Sequence, residues 1–218
     1  MNVHSVTARM ARKRIFERRS DRTADTRERI KRAALELFVA QGIAETSIRD
    51  IAKRARISLG AMYNHFTSKE ELAWQLFIDG WSEFGMALRS RAAGEANLAV
   101  KLRNMIEFVF RRFDEDWLLV TYIFISRHQH LKPGGQTPGG RHTISTRGNP
   151  YTLFRIVIYD AMRRGEIPRG DLDLKTAMVV GAVIQTIDSR IFARLKGPLT
   201  DCAATSAELC ARMLGVER

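Results

Sequence analysis

The residues best suited to bind another molecule lie between Leu59 and Phe66. Met62 and Phe66 are spaced i, i+4 and define the inward side of a short predicted helix, which leaves Tyr63 and Asn64 facing outward. A helix this short that exposes an aromatic ring and an amide, with no charge of its own, suits insertion into a groove better than solvation. The chemistry available there is hydrogen bonding to phosphates and base edges.

A second predicted helix comes directly before this one and positions it. The apolar residues of Ser47–Ala55 follow i, i+3, i+4, i+7 spacing, which is typical of a helix with one buried face. Ser47 can cap its first turn, and Asp50 three residues later completes a near capping box. Arg56 to Ser58 then turns the chain, and the Ser58 hydroxyl can cap the following helix.

Two longer predicted helices flank this pair. The first begins at Asp25, with Glu28 three residues later, and ends at Gly42. Its apolar stripe consists of Ile30, Ala33, Ala34, Leu37 and Phe38. Ser68 and Glu71 form a capping box for the second helix, which is long enough to enter a separate body domain.

Three segments resemble the tetracycline-repressor (TetR) family of bacterial transcription regulators: TSIRDIA at 46–52, ISLGAMYNHF at 57–66 and SKEEL at 68–72. The resemblance is specific over Arg29 to Leu76, whereas the remainder matches the family only in its length and its helical sequence pattern. It implies an all-α fold, with an N-terminal three-helix helix-turn-helix DNA-binding domain followed by a helical ligand-binding and dimerisation domain.

The resemblance also implies which residues meet DNA: Arg49, Ser58, Leu59, Gly60, Tyr63 and His65. By their chemistry we add Ser47, Asn64 and Lys69. Arg49 can reach a guanine edge or a phosphate, and Gly60 lets the backbone approach the sugar-phosphate chain closely. Tyr63, His65 and Lys69 carry donors suited to phosphates.

Some of these residues depart from the family pattern or have a second interpretation. Ala61 stands where family members often carry Thr or Ser, so one phosphate contact is missing from the expected set. Leu59 offers only an apolar contact, such as one to a thymine methyl group. Alternatively, Arg49 is a solvated helix residue and His65 caps and packs.

The charge of the chain is concentrated near its N-terminus. The whole sequence has 36 Lys and Arg against 24 Asp and Glu, and residues 1–71 alone hold 16 basic and 9 acidic side chains. We expect a flexible basic tail over 1–24, the DNA-binding domain over 25–68 and the effector-binding and dimerisation domain over 69–218. The tail is either a solvated arm or an arm that adds phosphate or minor-groove contacts.

The body is predicted to be helical throughout. Trp117 to Ile125 is apolar on all sides and is interpreted as a buried helix, because no partner strand is available elsewhere. Pro150 opens a helix that Gly165 stops, and the next helix runs to Lys196. A last helix extends from Thr200 or Asp201 to about Leu214.

Aromatic residues are abundant in the first part of the body and suggest an effector pocket for a small apolar molecule. The predicted walls are Trp81, Phe84, Phe110, Trp117 and Tyr122. The alternative is that these rings only pack the core.

The last two helices are rich in small residues: Ala177, Gly181, Ala182, Ala203, Ala204 and Ala207. Small side chains let helices approach closely, and the resemblance implies that these helices pair with those of a second subunit in a homodimer. Alternatively, they only complete the monomer core.

Residues 127–149 are rich in Gly and Pro and predict a long irregular loop. His128, His130 and His142 lie in or beside it, but no Cys, Asp or Glu is near enough to complete a metal site, so no metal is expected. Cys202 and Cys210 are interpreted as small buried side chains of a reducing cytoplasm.

The sequence has no phosphate-binding glycine loop, no nucleophile elbow and no paired carboxylates on a buried face, so neither an enzyme nor a cofactor is expected. It has no apolar leader and no apolar run long enough to span a bilayer, which favours a cytoplasmic protein. We expect a DNA-binding repressor that a small apolar effector releases from its operator. The alternative is a ligand-independent DNA-binding or architectural protein.

Overall fold

The computed structural model describes residues 3–94, 96–130 and 149–216, with side chains from residue 23 onward. Every regular element within these ranges is a helix, which confirms the predicted all-α fold class. The chain divides into two compact units, Met1–Leu76 and Phe77–Arg218, which we call the head and the body.

The head consists of α1 (Val3–Glu45), α2 (Ile48–Arg54), α3 (Leu59–Tyr63) and the start of α4 (Lys69–Ala92). The division between head and body falls inside α4, because its first two turns belong to the head. This single helix therefore contributes residues to both units.

The core of the head is small and apolar. Its most deeply buried side chains are Ile30, Ala34, Phe38, Ile51, Met62, Phe66 and Leu72. Full burial of one large apolar side chain contributes about 1.5–3 kcal/mol, so these few residues supply most of the stability of the head. The predicted inward positions of α2 and α3 are confirmed, since Ile51, Ala52 and Met62 are buried.

The first helix is much longer than predicted. α1 begins at Val3, so the expected helix start at Asp25 was wrong, whereas the flexibility expected of the tail over 1–24 stays a prediction. No Gly or Pro interrupts residues 3–41, and the many Arg and Ala residues there have high helix propensity. Gly42 has φ 86° and ψ 162° and is non-helical, so the chain kinks at the glycine predicted to end the helix, and a few further helical residues follow up to Glu45.

The third helix is shorter than predicted. α3 ends at Tyr63 with Asn64 as its C-cap, so His65 and Phe66 lie beyond it rather than within it. Phe66 is nevertheless buried, because the His65 and Phe66 amides still bond to the carbonyl of Met62 and keep the chain turning inward.

The body contains the rest of α4 and five further helices, together with a short 3-10 helix. These are α5 (Leu98–Glu115), α6 (Trp117–His130), α7 (Pro150–Arg164), α8 (Leu172–Ile191), the 3-10 helix Leu199–Cys202 and α9 (Ala203–Met213). α6 confirms that Trp117 to Ile125 is helical. It also continues to His130, so the predicted loop over 127–149 is wrong for residues 127–130, and residues 131–148 lie outside the described part of the chain.

In the body, the predicted bounds agree with the structure for α7 but not for the end of α8. Pro150 stands at the start of α7, and Gly165 ends it with a left-handed φ of 73°. α8 ends at Ile191 instead of Lys196, and Ala193 follows with a left-handed φ of 54° that a helix cannot continue through.

Two carboxylates hold distant parts of the body together. Asp114 accepts hydrogen bonds from the Leu199 and Thr200 amides at 2.9 and 3.0 Å, which fixes the 3-10 helix to the end of α5. Glu166 accepts from the Leu98 amide at 2.6 Å. Burial raises the pKa of Glu166, but hydrogen bonds from Arg164 and Leu98 outweigh this effect and hold the pKa below its usual value.

Candidate functional site

Most of the predicted DNA-contacting residues are exposed on the head, and three of them, Ser47, Tyr63 and Lys69, line one surface groove. Arg49, Ser58, Gly60 and Asn64 are exposed, and Tyr63 is 51% exposed. A further residue of this set, Ser47, is also exposed, whereas Leu59, His65 and Lys69 are half-buried. An exposed tyrosine beside the fully buried Met62 shows that α3 separates an inward from an outward side, as its sequence predicts.

The N-terminus of α2 has the predicted capping box. The Ser47 hydroxyl oxygen accepts from the Asp50 amide at 3.1 Å, and the Asp50 carboxylate accepts from the Ser47 amide at 3.1 Å. The Ser47 hydroxyl also donates to Asp50 at 2.5 Å. These hydrogen bonds from Ser47 lower the pKa of Asp50. Since the hydroxyl proton of Ser47 is already used, this residue is less available to a phosphate than its sequence position suggests.

The turn between α2 and α3 is fixed by its backbone. Arg56 has a left-handed φ of 55°, and the Ile57 amide donates to the Ala52 carbonyl at 3.0 Å. Ser58 then caps α3, because its hydroxyl oxygen accepts from the Ala61 amide at 3.1 Å. The hydroxyl proton of Ser58 points to no partner in this cap and can be donated to a phosphate.

Lys69 has a structural role that the sequence did not reveal. Its ammonium group donates to the carbonyls of Ala44 and Thr46, both at 2.8 Å. An ammonium group has three N–H donors, so these two bonds leave one for any phosphate. The interpretation of Lys69 as an outward-facing phosphate donor is therefore incomplete, and its first function is to join the start of α4 to the end of α1.

Two arginines that were not singled out also hold the head together. The Arg27 guanidinium lies 4.5 Å from the centre of the Phe66 ring and donates to Gln75 Oε1 at 2.7 Å. Arg29 donates to the Ala55 carbonyl at 2.6 Å, at the end of α2. These contacts join residues far apart in sequence, so no local pattern could have indicated them.

The body contains a cavity of about 210 Å³ with almost entirely apolar walls. It is lined by Trp81, Phe84, Val109, Ile123, Phe124, Arg127, Asn149, Pro150, Tyr151, Phe154, Val180, Val183 and Ile184. Arg127 is the one charged residue in this lining. The walls come from five helices, α4 to α8, together with the residue that caps α7.

Only two of the five predicted pocket residues line this cavity. Trp81 and Phe84 do so, whereas Phe110 and Tyr122 are fully buried elsewhere in the body. Trp117 is 54% exposed, because as the first residue of α6 it precedes the buried part of that helix. Phe110, Trp117 and Tyr122 therefore do not line this cavity, and their contact with an effector stays a prediction. A ring count cannot distinguish a core aromatic residue from a cavity wall.

Tyr122 belongs instead to a buried contact with His130. The Tyr122 hydroxyl lies 3.5 Å from His130 Nε2, and the His130 ring lies 4.6 Å from the Phe77 ring. Burial raises the pKa of Tyr122 and lowers that of His130. His128 is exposed, and His142 lies outside the described residues.

The described ranges contain neither a metal-binding cluster nor a membrane-spanning helix. No group of three or more His, Cys, Asp or Glu side chains there is arranged to hold a metal ion. Among the described helices, none is both long and apolar enough to cross a lipid bilayer. Cys210 is buried, and burial raises the pKa of its thiol to about 11, while Cys202 is half-buried.

Part of the head is similar to a known protein family. Residues 30–76 match the family model described as "Bacterial regulatory proteins, tetR family". The HTH-type transcriptional regulator TtgR of Pseudomonas putida is 27% identical over 167 residues, which cover 76% of this chain and 79% of the relative.

Solved structures extend the similarity of fold to the body. FadR from Bacillus subtilis in complex with stearoyl-CoA is 22% identical with a TM-score of 0.67, over 88% of this chain and 99% of that chain. AibR in complex with isovaleryl coenzyme A and operator DNA is 21% identical with a TM-score of 0.68, over 88% of this chain and all of that chain, 100%. At these identities the comparison establishes the shared fold.

Proposed function

We propose that this chain is a transcriptional repressor of the tetR family of bacterial regulatory proteins. It binds an operator as a homodimer. It leaves the operator when a small apolar ligand enters the body. The observation that carries the proposal is the outward face of α3. Ser58 caps the start of this helix, and Tyr63 and Asn64 are exposed at its end. This face lies within the residues that match the family model.

The proposed roles on DNA follow from side-chain chemistry. Arg49 donates to a guanine edge or a phosphate, and the Tyr63 hydroxyl donates to a phosphate. Gly60 is exposed and a Cβ there would meet nothing within 4 Å, so its backbone is open to close approach by a sugar-phosphate chain. His65 and Leu59 are half-buried and contribute less, while Lys69 retains one donor.

Dimerisation is supported by the outer sides of α8 and α9. Leu174 and Leu209 are each 59% exposed, although both are large and apolar. Gly181 is exposed on α8, seven residues after Leu174, and a Cβ at this position would meet nothing within 4 Å. Two copies joined through these helices would present two heads, as a two-fold symmetric operator requires.

The small residues of these helices do not all face the proposed partner. Ala203 and Ala207 are buried in the core of the body, whereas Ala177, Ala182 and Ala204 are exposed on its surface. We therefore assign the proposed interface to the exposed set, and the buried pair to the alternative role of completing the monomer core.

The cavity favours a ligand-responsive regulator over a ligand-independent DNA-binding protein. Its residues Trp81 and Phe84 lie on α4, the helix that also contributes to the head. A ligand that displaces either ring would move α4 and change the fit of the two heads to successive major grooves. The FadR and AibR structures, which contain acyl coenzyme A molecules, support such a role for the body.

The proposal is tested by selecting bound fragments from genomic DNA and measuring their affinity by fluorescence anisotropy. Tyr63→Ala should weaken binding and reduce the salt dependence by about one ion, because one phosphate contact is lost. Tyr159→Ala on α7 is the matched control, since Tyr159 is 47% exposed and lies far outside the head sequence. If Tyr63→Ala and Tyr159→Ala bound the selected DNA with the same affinity and the same salt dependence, the assignment of α3 as the DNA-reading helix would be contradicted.

A further inference from the structure

We propose that residues 9–22 of α1 form a second DNA-binding element, which contacts backbone phosphates beside the site that α3 reads and does so irrespective of base sequence. This inference rests on the proposed function, because it adds a second contact to the same operator complex. It is carried by the charge of these residues, by their helical continuity with the head, and by the contacts that tie α1 to both ends of α3.

The first residues of the chain are strongly basic. Residues 1–22 contain seven Lys and Arg against two Asp and Glu, so 22 of the 218 residues supply a net charge of +5 out of +12. The basic residues are Arg9, Arg12, Lys13, Arg14, Arg18, Arg19 and Arg22. Such a concentration of positive charge in a short segment favours binding to a polyanion.

The helical backbone gives these charges a regular spacing. α1 begins at Val3 and its backbone is helical through this segment, so Arg14, Arg18 and Arg22 recur every four residues, about 6 Å apart along the axis. Residues four apart lie on one side of a helix. From Arg9 to Arg22 the segment extends for about 20 Å, and double-stranded DNA carries about a dozen phosphates over this length. A helix of this length can therefore engage several phosphates at once.

The large apolar residues within residues 9–22 do not form a stripe. Met10 and Ile15 are separated by about 140° around the helix axis, and Ile15 and Phe16 by about 100°. A helix that lies on a lipid surface or packs on a partner helix needs its apolar residues on one side. Phosphate contacts require only positive charge, so the sequence of this helix favours DNA over a lipid surface.

The basic segment leaves the head beside α3. The Arg27 guanidinium donates to the His65 carbonyl at 3.4 Å, and Arg29 donates to the Arg56 carbonyl at 3.2 Å. One of these carbonyls follows α3 and the other precedes it, so this part of α1 is tied to both ends of the proposed DNA-reading helix. Arg22 precedes Arg27 by five residues, or about 7.5 Å, which is no more than the Debye length at physiological salt. DNA bound by α3 would therefore attract the start of the basic segment.

The test removes charge from one side of this segment in the full chain. Arg14→Gln, Arg18→Gln and Arg22→Gln are combined, because Gln has a helix propensity close to that of Arg. Fluorescence anisotropy at several salt concentrations measures binding to a genomic fragment that the chain selects and to an unrelated duplex of equal length. The slope of log affinity against log salt should fall by about 2 to 3 for both duplexes. At about 0.1 M salt both affinities should fall at least about tenfold, and their ratio should stay unchanged.

Two further variants of the same positions separate charge from a structural role. The combined Arg14→Lys, Arg18→Lys and Arg22→Lys variant keeps the charge and should keep the full slope. A loss of slope in this variant as well would overturn the inference. Arg18→Gln alone should lower the slope by about 0.9, and this measurement is decisive if the triple glutamine variant fails to fold.

A matched control removes the same charge from the body. Arg89, Arg103 and Arg169 are all exposed there, and the combined Arg89→Gln, Arg103→Gln and Arg169→Gln variant should leave the slope unchanged for both duplexes. An equal loss of slope in this control would overturn the inference, because the total charge of the protein rather than the segment would then determine the affinity.

Three other results would also overturn the inference. They are an unchanged slope in the triple glutamine variant of α1, a loss confined to the selected fragment, and a loss of binding to phosphatidylserine vesicles with DNA binding unchanged. In each case, weaker binding of the selected fragment by Tyr63→Ala leaves the proposed function intact. If the unmodified chain selected no genomic fragment, the proposed function would be rejected, and this inference with it.

Discussion

The head and the body place their functional residues in different ways. In the head, the exposed residues of α2 and α3 are positioned by neighbours within a few positions, such as Asp50 for Ser47 and the Ala61 amide for Ser58. In the body, the cavity is enclosed by residues as far apart in sequence as Trp81 and Ile184. A surface made by capped local turns can be inferred from adjacent residues, whereas an enclosed space depends on how separate helices meet.

The largest effect is expected from a substitution that disrupts the core of the head and leaves the core of the body unchanged. Phe66 is 1% exposed and packs beneath Arg27, so Phe66→Ala should cost about 3–5 kcal/mol and unfold the head. Differential scanning calorimetry should show the loss of one transition while a body transition remains, and operator binding should disappear while ligand binding is retained. Phe192→Ala, at a side chain 65% exposed, should change neither. A simultaneous loss of both transitions would contradict the independence of the two units.

A smaller effect is expected at Lys69, which could act by stabilising the head or by contacting DNA. Lys69→Met removes two hydrogen bonds from a charged donor to the Ala44 and Thr46 carbonyls and should cost about 1–2 kcal/mol in the free energy of unfolding of the head. Urea denaturation followed by circular dichroism measures this cost. Lys53→Met, at an exposed lysine of α2, should have almost no effect on stability. Weaker operator binding at unchanged stability would show that Lys69 acts mainly on DNA.

The smallest expected effect is a pH dependence confined to the body. Burial lowers the pKa of His130 below its usual value of 6.5, so the unfolded chain binds a proton at a higher pH than the folded chain does. Stability should therefore fall as the pH drops below about 6.5 and stop falling below the folded pKa. His130→Phe should flatten this part of the stability profile, whereas His128→Gln at an exposed histidine should leave it unchanged. An identical slope in both variants would assign the dependence to other groups.

Local sequence signals predicted the helix caps and the inward residues of α2 and α3. The Ser47 and Asp50 capping box, the Ser58 cap and the buried Met62 were all predicted and are present. Capping depends on hydrogen bonds between residues two to four positions apart, so the sequence contains the whole of this information. The Arg27 contact with Gln75 and the Lys69 contact with Ala44 involve distant residues, and for that reason they could not be predicted.

In the body, local sequence signals predicted helices but not the residues that line the cavity. Helix-start and helix-stop residues predicted α7 to α9 and the end of α7 at Gly165, because such signals lie within each segment. The abundance of aromatic residues suggested Phe110 and Tyr122 as pocket walls, but both are buried outside the lining of the cavity, since core and cavity wall alike require an apolar side chain. Arg127 was not considered as a lining residue of the cavity, because a single arginine near the end of an apolar helix has no distinctive local pattern.

The continuity of α4 from Lys69 to Ala92 also limits how this protein can be recombined. A residue inserted between Leu76 and Phe77 would rotate everything that follows by about 100° and advance it by about 1.5 Å, since an α-helix has 3.6 residues per turn. Seven inserted residues would nearly restore the original orientation, to within about 20°. A chimera that joins this head to another body should therefore preserve helical phase across that junction, and insertions of one to seven residues should change repression periodically rather than steadily.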